Sequence, residues 1–321
     1  MSANVKSMMY YGEVPWHGLG KALDHPATAK EALVEAGLDY GVELRDLYYR
    51  EGRNLIKVPP RATVRVDANL IKEGEVPETD YLGTVGTKYR PIQNFQAFEA
   101  FDEIVGDGKA IYHTAGCLGS GEKIWILAEI PGEMVIDGKD KITKYLLLYN
   151  SHDGSSQVEF RFTPIRVVCQ NTLMLALGGK GKSVKFKHTT NADERMKEAG
   201  RLLGVMNSEY VWIEKICNEL QVKKLDKDGF VEYLKGIFPL PEKKQARALE
   251  AQRNVFSLYR GDKNKSLGNT WWRAYNSVVE YVDYAKKYRT DRLSSVWFGS
   301  GAELKERAFT KAVEMSDVPM N

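Results

Sequence analysis

The adjacent residues His152 and Asp153 are the part of this sequence that most suggests catalysis. A carboxylate beside an imidazole can orient it as a general base, and Cys169 would then serve as the nucleophile. These side chains would face each other across a hairpin and its following helix. However, the surrounding segment, NSHDGS at 150–155, is rich in turn-forming residues, and Asp-Gly favours a turn. The turn is the stronger interpretation, and we predict no catalytic residues.

The other histidines and the cysteines do not indicate a metal site or a disulfide framework. The chain has 5 His and 3 Cys, and the cysteines are widely spaced without a Cys-x-x-Cys pair. No other histidine lies at metal-ligand spacing from His152. We expect reduced, buried cysteines and no bound metal.

The segment GGKGKS at 178–183 has some features of a phosphate-binding loop. The pattern Gly-x4-Gly-Lys-Ser requires glycine at position 176, where this chain has Ala176. Such loops also lead from a strand into a helix, whereas this segment is predicted to leave a helix and enter a strand. We therefore expect no nucleotide site, no cofactor and no enzymatic activity.

The same region is strongly basic, with four lysines within residues 180–187. In a strand from 183 to 188, Lys185 and Lys187 share one face, and the apolar residues beside them face the core. A flexible basic rim of this kind suits the phosphates of a single nucleic acid strand. A solvated edge strand guarded by lysines against aggregation explains the pattern equally well. Both interpretations stay open at this point.

Other cations of the sheet region are candidates for the same phosphate backbone. Arg161 alternates with Phe160 and Phe162, so we expect it to face away from the core. Tyr89 and Arg90 would add an aromatic–cation contact. The predicted DNA-binding residues are Tyr89, Arg90, Arg161, Arg166, Lys182, Lys185 and Lys187.

A second region combines aromatic and basic residues, beginning with WWR at 271–273. Base stacking requires exposed aromatic rings beside cations. However, Trp271, Tyr275, Val278 and Val282 recur every three to four residues, which is typical of a helix face in a core. Core packing is the favoured interpretation. The aromatic residues off this stripe remain candidates for stacking, namely Trp272, Tyr281 and Tyr288.

The elements that would position these residues are mixed strands and helices, followed by helices alone. Residues 123–130 alternate, 145–149 are apolar on both faces, and the turn at 150–155 leads into another alternating run, which indicates a β-hairpin. Helical spacing follows at about 192–220, 228–236, 242–260, 267–289 and 302–315. We predict an α+β fold, with a mainly antiparallel sheet, a β-hairpin and packed helices in a sheet domain (1–190), followed by a helical domain (191–321).

Charge divides the chain near the same place. The 321 residues contain 46 Lys and Arg and 43 Asp and Glu, a net charge of +3. Residues 1–178 carry 19 basic and 24 acidic side chains (net −5), whereas 179–321 carry 27 and 19 (net +8). The basic half favours an anionic partner. Without an apolar leader or a run of about 18 apolar residues, we expect a soluble, cytoplasmic protein with no membrane association.

Five motifs of this chain resemble a known family. They are WHGLG at 16–20, NSHDGS at 150–155, TPIRVVCQNTL at 163–173, GNTWWRAY at 268–275 and WFGSGA at 297–302. They are similar to the phage/plasmid-like protein family, a domain of unknown function carried by bacteriophages, prophages and plasmids. The resemblance covers essentially the whole chain and implies a mobile-element protein in the bacterial cytoplasm.

The layout of strands, hairpin, helix and basic segment is also loosely similar to phage single-strand annealing proteins of the Rad-fifty-two type. This second resemblance is one of architecture and composition, with no shared motif. It fits the missing nucleotide loop, since annealing two complementary strands is downhill and needs no hydrolysis.

The leading hypothesis is therefore a phage recombination protein that binds single-stranded DNA and promotes annealing without ATP, as a homo-oligomer. The alternative is a protein-binding module that inhibits or redirects a host system. In that case the amphipathic helices of the second half would contact a host or phage protein.

Overall fold

The computed structural model of the chain describes residues 5–12, 18–67, 79–105, 111–162, 165–166, 171–172, 183–189, 211–240, 245–288, 295–296 and 299–319. Two compact units divide the chain. The first contains Met1–Pro131, Tyr145–Phe162 and Ser183–Val205, and the second contains Gly132–Lys144, Thr163–Lys182 and Met206–Asn321. The predicted boundary between residues 190 and 191 lies outside the described residues and stays a prediction.

The described strands form two sheets. In chain order they are β1 (Val5–Tyr11), β2 (Lys21–Leu23), β3 (Gly41–Glu51), β4 (Asn54–Val66), β5 (Thr79–Val85), β6 (Ile111–Leu118), β7 (Lys123–Ile136), β8 (Asp140–Ser151), β9 (Val158–Phe162), β10 (Ile165–Arg166), β11 (Asn171–Thr172) and β12 (Ser183–Phe186). In the first unit the larger sheet has the order β2-β1-β6-β7-β8-β9-β12, and the smaller sheet has the order β3-β4-β5. β1 and β2 are parallel, whereas the β3–β4, β4–β5, β6–β7 and β8–β9 pairs are antiparallel. The predicted α+β class with a mainly antiparallel sheet is confirmed.

The predicted hairpin at residues 150–155 is confirmed. β8 and β9 are antiparallel, with Leu146 opposite Phe162 and Tyr149 opposite Glu159. The last strand predicted for this region is β12, which pairs with β9. Phe160 is fully buried, so its neighbours along β9 lie on the opposite face of the strand.

Among the described residues, two helices belong to the first unit, α1 (Ala29–Glu35) and α2 (Asn94–Val105). Thr28 caps α1, because its hydroxyl accepts a hydrogen bond from the backbone N–H of Glu31 at 3.3 Å. On α2, Phe101 contacts Tyr112 of β6 and Phe160 of β9, with ring centroids 6.0 and 5.8 Å apart. The helix therefore packs on the apolar face of the larger sheet.

The second unit is mostly helical. It contains α3 (211–222), α4 (Lys227–Ile237), α5 (Gln245–Arg260), α6 (Trp271–Glu280) and α7 (Ser300–Met315). The helices predicted near 228–236, 242–260 and 302–315 are found there. The run predicted over 267–289 begins later, because Thr270 caps α6 and accepts the N–H of Arg273 at 3.2 Å. That helix continues into a π-helical turn, Tyr281–Ala285.

The second unit also contains a small group of strands. β10 pairs with residues 142–143 of β8 and with β11. No helix of the described residues is both long and apolar enough to cross a membrane.

Candidate nucleic-acid interface

The structure brings together two segments that the sequence predicted as separate parts of a DNA-binding surface, residues 89–90 and residues 183–188. The backbone N–H of Arg90 donates to the carbonyl oxygen of His188 at 3.1 Å. The ring of Tyr89 stacks on the ring of His188, with centroids 4.6 Å apart and planes at 18°. The loop that precedes α2 is thereby joined to the end of β12, so Arg90 and Lys187 lie on neighbouring chain segments.

Three cations line an open depression beside this junction: Lys57, Arg61 and Arg90. Arg61 Nη2 donates to the carbonyl oxygens of Thr87 and Tyr89 at 3.0 and 3.3 Å, and so holds the loop in place. Asp46 also lines the depression, and its carboxylate pairs with Lys57 at 2.6 Å. The cations outnumber the carboxylate, and the depression is therefore positive. We call Lys57, Arg61, Arg90 and the exposed Lys187 the basic patch.

Two members of the basic patch, Lys57 and Arg61, were missed by the sequence analysis. They flank the Pro-Pro pair of β4 and are not part of any run of basic residues. Their relation to Arg90 depends on the fold of the smaller sheet beside the loop at 86–90. No local signal in the sequence distinguishes these two isolated cations from others.

Tyr89 is half-buried, and both its hydroxyl and one face of its ring make contacts within the protein. Its hydroxyl donates to the carbonyl oxygen of Ser151 at 3.1 Å. Burial raises the pKa of this phenol above its usual range. Because His188 covers one face of the ring, at most the other face is left for a base.

Arg161 and Lys185 both bind the same carboxylate. Glu159 Oε1 accepts from Arg161 Nε and Nη2 at 2.9 and 2.6 Å, and Glu159 Oε2 lies 3.2 Å from Lys185 Nζ. The pairing of β9 with β12 places Lys185 directly opposite Glu159. Arg161 lies on the face of β9 away from Phe160, but its side chain is only 19% exposed and its charge is shared with Glu159. A phosphate here would have to compete with that carboxylate.

The remaining two predicted DNA-binding residues are described only in part or not at all. The backbone of Arg166 lies in β10, opposite Ile142 of β8. The side chain of Arg166 and the whole of Lys182 lie outside the described residues. Their roles stay predictions.

His152 is buried, although the sequence indicated a turn at the hairpin tip. Its Nε2 atom lies 2.9 Å from Asn94 Oδ1, and Asn94 Nδ2 donates to the carbonyl of Leu38. The amide orientation therefore makes Nε2 the protonated ring nitrogen of a neutral imidazole. Burial, together with nearby His188, lowers the pKa of His152 to about 3.

The turn interpretation of Asp153 is confirmed. Asp153 Oδ1 accepts the backbone N–H of Ser155 at 2.8 Å, and Gly154 has a φ of +75°. Cys169, the nucleophile of the alternative hypothesis, lies outside the described residues. Within the described ranges, no group of three His, Cys, Asp or Glu side chains could hold a metal ion.

His188 is buried without hydrogen-bond partners for its ring among the described residues. Both ring nitrogens of His188, and Nδ1 of His152, are buried and make no hydrogen bond to a described residue. Burial lowers the pKa of His188 to about 4. The ring therefore contributes an aromatic surface beneath Tyr89 and no charge at neutral pH.

In the second unit the GNTWWRAY motif has a structural role. Trp272 Nε1 donates to Asp140 Oδ2 at 3.0 Å, and the Trp272 side chain is fully buried. Core packing of the α6 stripe is confirmed, since Trp271 is 6% exposed and Tyr275 is fully buried. Tyr281 and Tyr288, which the sequence left as stacking candidates with Trp272, are also buried. None of the three offers an open ring face.

Comparison with protein families identifies a match over most of the chain. The model of a family described as a domain of unknown function (DUF932) matches residues 81–297. No curated protein and no solved structure matches the chain. The matched span includes the Arg90–His188 junction, the NSHDGS turn and the GNTWWRAY motif.

Proposed function

The chain belongs to the DUF932 family of domains of unknown function, and from this premise we propose that it binds single-stranded DNA through the basic patch and promotes annealing without ATP. The observation that carries this proposal is the junction of Arg90 with His188, which groups cations from three separate chain segments. The resemblance to phage and plasmid proteins supports a role in the recombination of mobile DNA in the bacterial cytoplasm.

The chemistry of the basic patch suits a phosphate backbone. Arg61 has a fixed guanidinium, while Lys187 and Arg90 are exposed. Cations on neighbouring segments can neutralise successive phosphates, and the release of counterions then drives binding. Such contacts carry no sequence information, so we expect similar affinity for different sequences. Annealing is downhill, which makes a nucleotide site unnecessary.

The experiment that tests the proposal is fluorescence anisotropy with labelled oligo-dT of about 30 nucleotides. The double variant Arg90→Glu/Lys187→Glu should weaken binding by about tenfold or more at low salt. Lys30→Glu/Lys139→Glu reverses two exposed charges outside the basic patch, changes the net charge by the same amount, and should leave affinity nearly unchanged. Binding of the unmodified protein should be lost at about 0.5 M salt.

Two results would refute DNA binding at this patch. One is no binding by the unmodified protein at low salt, which would favour the alternative of a protein-binding module. The other is an equal loss in the control and in the Arg90→Glu/Lys187→Glu variant. Annealing itself is measured with complementary labelled strands, in which the protein should accelerate duplex formation without ATP.

A further inference from the structure

The outer edge of β3 carries no strand in the part of the chain that the structure describes. β3 pairs with β4 along one edge, from Gly41 opposite Val66 to Glu51 opposite Asn54, and it ends the order β3-β4-β5. Tyr48 and Tyr49 are 52% and 50% exposed. A long exposed edge is a template for pairing with another strand.

At the beginning of this edge, the side-chain amide of Gln93 makes the two backbone hydrogen bonds that a neighbouring strand would make. Gln93 Oε1 accepts the backbone N–H of Val42, and Gln93 Nε2 donates to the Val42 carbonyl, both at 2.9 Å. The peptide groups of Val42 therefore point away from β4. Because this direction alternates along an antiparallel strand, those of residues 44, 46, 48 and 50 point the same way. Beyond Gln93, β3 presents a row of outward donors and acceptors.

The charges along β3 and the turn after it are arranged so that β3 can pair with an antiparallel second copy of itself, with opposite charges facing each other. Around Tyr48, every charged residue from 43 to 53 has an opposite charge at the mirrored position. In an antiparallel pair of β3 strands centred on Tyr48, the facing residues are Arg45 with Glu51, Asp46 with Arg50, and Leu47 with Tyr49. Glu43 then lies towards Arg53, in the turn that follows β3. Opposite charges directly across a strand pair stabilise it, and like charges destabilise it.

Neighbouring registers lack this complementarity. A centre at residue 47 would place Glu43 opposite Glu51, and a centre at residue 49 would place Arg45 opposite Arg53. Centres at residues 46 and 50 would face Asp46 or Arg50 with its own copy. Among these five centres, only Tyr48 both avoids like charges and places opposite charges face to face. It also makes Tyr48, whose peptide groups point outward, a hydrogen-bonded pair with its own copy.

We propose that a second copy of this chain docks on the β3 edge, with the two β3 strands antiparallel about a two-fold axis at Tyr48. The smaller sheets of the two copies then form one continuous six-stranded sheet. The partner surface is the same in both copies, as a two-fold dimer requires. This dimer does not depend on DNA binding.

The first test uses two charge reversals that should each block the dimer and restore it when mixed. Arg45→Glu alone faces Glu51 of the second copy, and Glu51→Arg alone faces Arg45, so each variant should dimerise about tenfold more weakly. An equimolar mixture has opposite charges at both positions and should form a heterodimer. Sedimentation velocity of the full chain at tens of micromolar measures all three samples, with Lys30→Glu as the control.

A second variant tests the two-fold axis directly. Tyr48→Cys should form a disulfide between copies on mild oxidation, because hydrogen-bonded partners lie about 5.5 Å apart between Cα atoms, within the disulfide range. Lys30→Cys is the matched control and should stay monomeric under denaturing electrophoresis without reductant.

Each result decides the proposal. A dimer that is weakened by each single reversal, restored in the mixture and cross-linked through position 48 supports it. A monomeric unmodified protein, a dimer insensitive to both reversals, or a mixture that does not reassociate would overturn it. A dimer that position 48 fails to cross-link would assign the contact to another surface. Binding of DNA by a monomer would leave the proposed function intact while refuting this dimer.

Discussion

The imidazole of His188 stacks on the phenol ring of Tyr89, with centroids 4.6 Å apart and planes at 18°. This contact joins β12 to the loop that carries Arg90. Neither ring nitrogen of His188 makes a hydrogen bond to a described residue, and burial disfavours a proton on this ring more than the nearby Arg90 backbone favours it. The stack that organises the basic patch therefore depends on a neutral histidine.

We expect this histidine to make the fold sensitive to acid. Burial lowers the pKa of His188 to about 4 in the folded protein, whereas it is about 6.5 in an unfolded chain. Between these values the unfolded state binds a proton that the folded state does not, so stability falls as pH falls. His188→Phe keeps an aromatic ring and removes the proton site. Its loss of unfolding free energy from about pH 7 to pH 5 should be smaller by about 2 kcal/mol.

Urea unfolding at the two pH values, followed by circular dichroism, measures this difference. His25→Ala is the control, since His25 is exposed and its pKa is raised by Asp24 and Glu31. That variant should not reduce the loss of stability in acid. An unchanged pH dependence in His188→Phe would contradict a neutral, buried His188.

A close backbone contact positions the NSHDGS turn. A Cβ atom at Gly83 of β5 would lie 2.6 Å from the Cα atom of Asp153. Gly83→Ala should therefore displace the turn and destabilise the protein by about 1–3 kcal/mol. At Gly86, by contrast, a Cβ would meet no atom within 4 Å. Gly86→Ala is the matched control, and equal thermal unfolding of the two variants would contradict the close contact.

Much of the sheet could be predicted because its signals are local. The alternation at 123–130 and the turn residues of NSHDGS lie next to one another in the chain, and both interpretations are confirmed by β7 and by the Asp153 turn. The burial of His152 was not predictable in this way. It depends on Asn94, 58 positions away in the sequence, and periodicity carries no information about such partners.

The basic patch also depends on contacts between residues that are far apart in the sequence. Arg90 and Lys187 were each predicted from local composition, whereas Arg61 is brought to Arg90 by its hydrogen bonds to the carbonyls of Thr87 and Tyr89. In the second unit, the 3.6-residue stripe identified one face of α6 and could not show that the other faces are covered too. Trp272 is buried on another face of this helix, and Asp140, at the start of β8, satisfies its indole N–H.

A buried ion pair supports the end of the helical unit. Lys305 Nζ lies 2.9 Å from Asp283 Oδ1, and the two side chains are 0% and 6% exposed. Lys305→Met leaves the carboxylate buried without this cation and should cost about 3–5 kcal/mol of unfolding free energy. Asp283→Leu/Lys305→Met removes both charges and should recover most of that loss. Urea unfolding checks the pair, and a double variant as unstable as the single one would contradict the charge explanation.

The carboxylate of Glu159 should limit how strongly Arg161 and Lys185 contact DNA. Glu159→Gln keeps the size of the side chain but removes the charge that now holds both cations. If these cations face phosphates, as the sequence predicts, oligo-dT binding at low salt should tighten by about fivefold, which corresponds to roughly 1 kcal/mol near a protein surface.

Glu31→Gln is the matched control for that variant, because it removes an equal charge from α1, where Glu31 bonds only the exposed His25 among the side-chain partners described. Anisotropy titrations of both variants separate a local effect from a change in net charge. Tighter binding in Glu159→Gln alone would assign Arg161 and Lys185 to the DNA contact. Equal affinities would make the Glu159 cluster a purely structural link between β9 and β12, and the basic patch would then carry the DNA contact without these two residues.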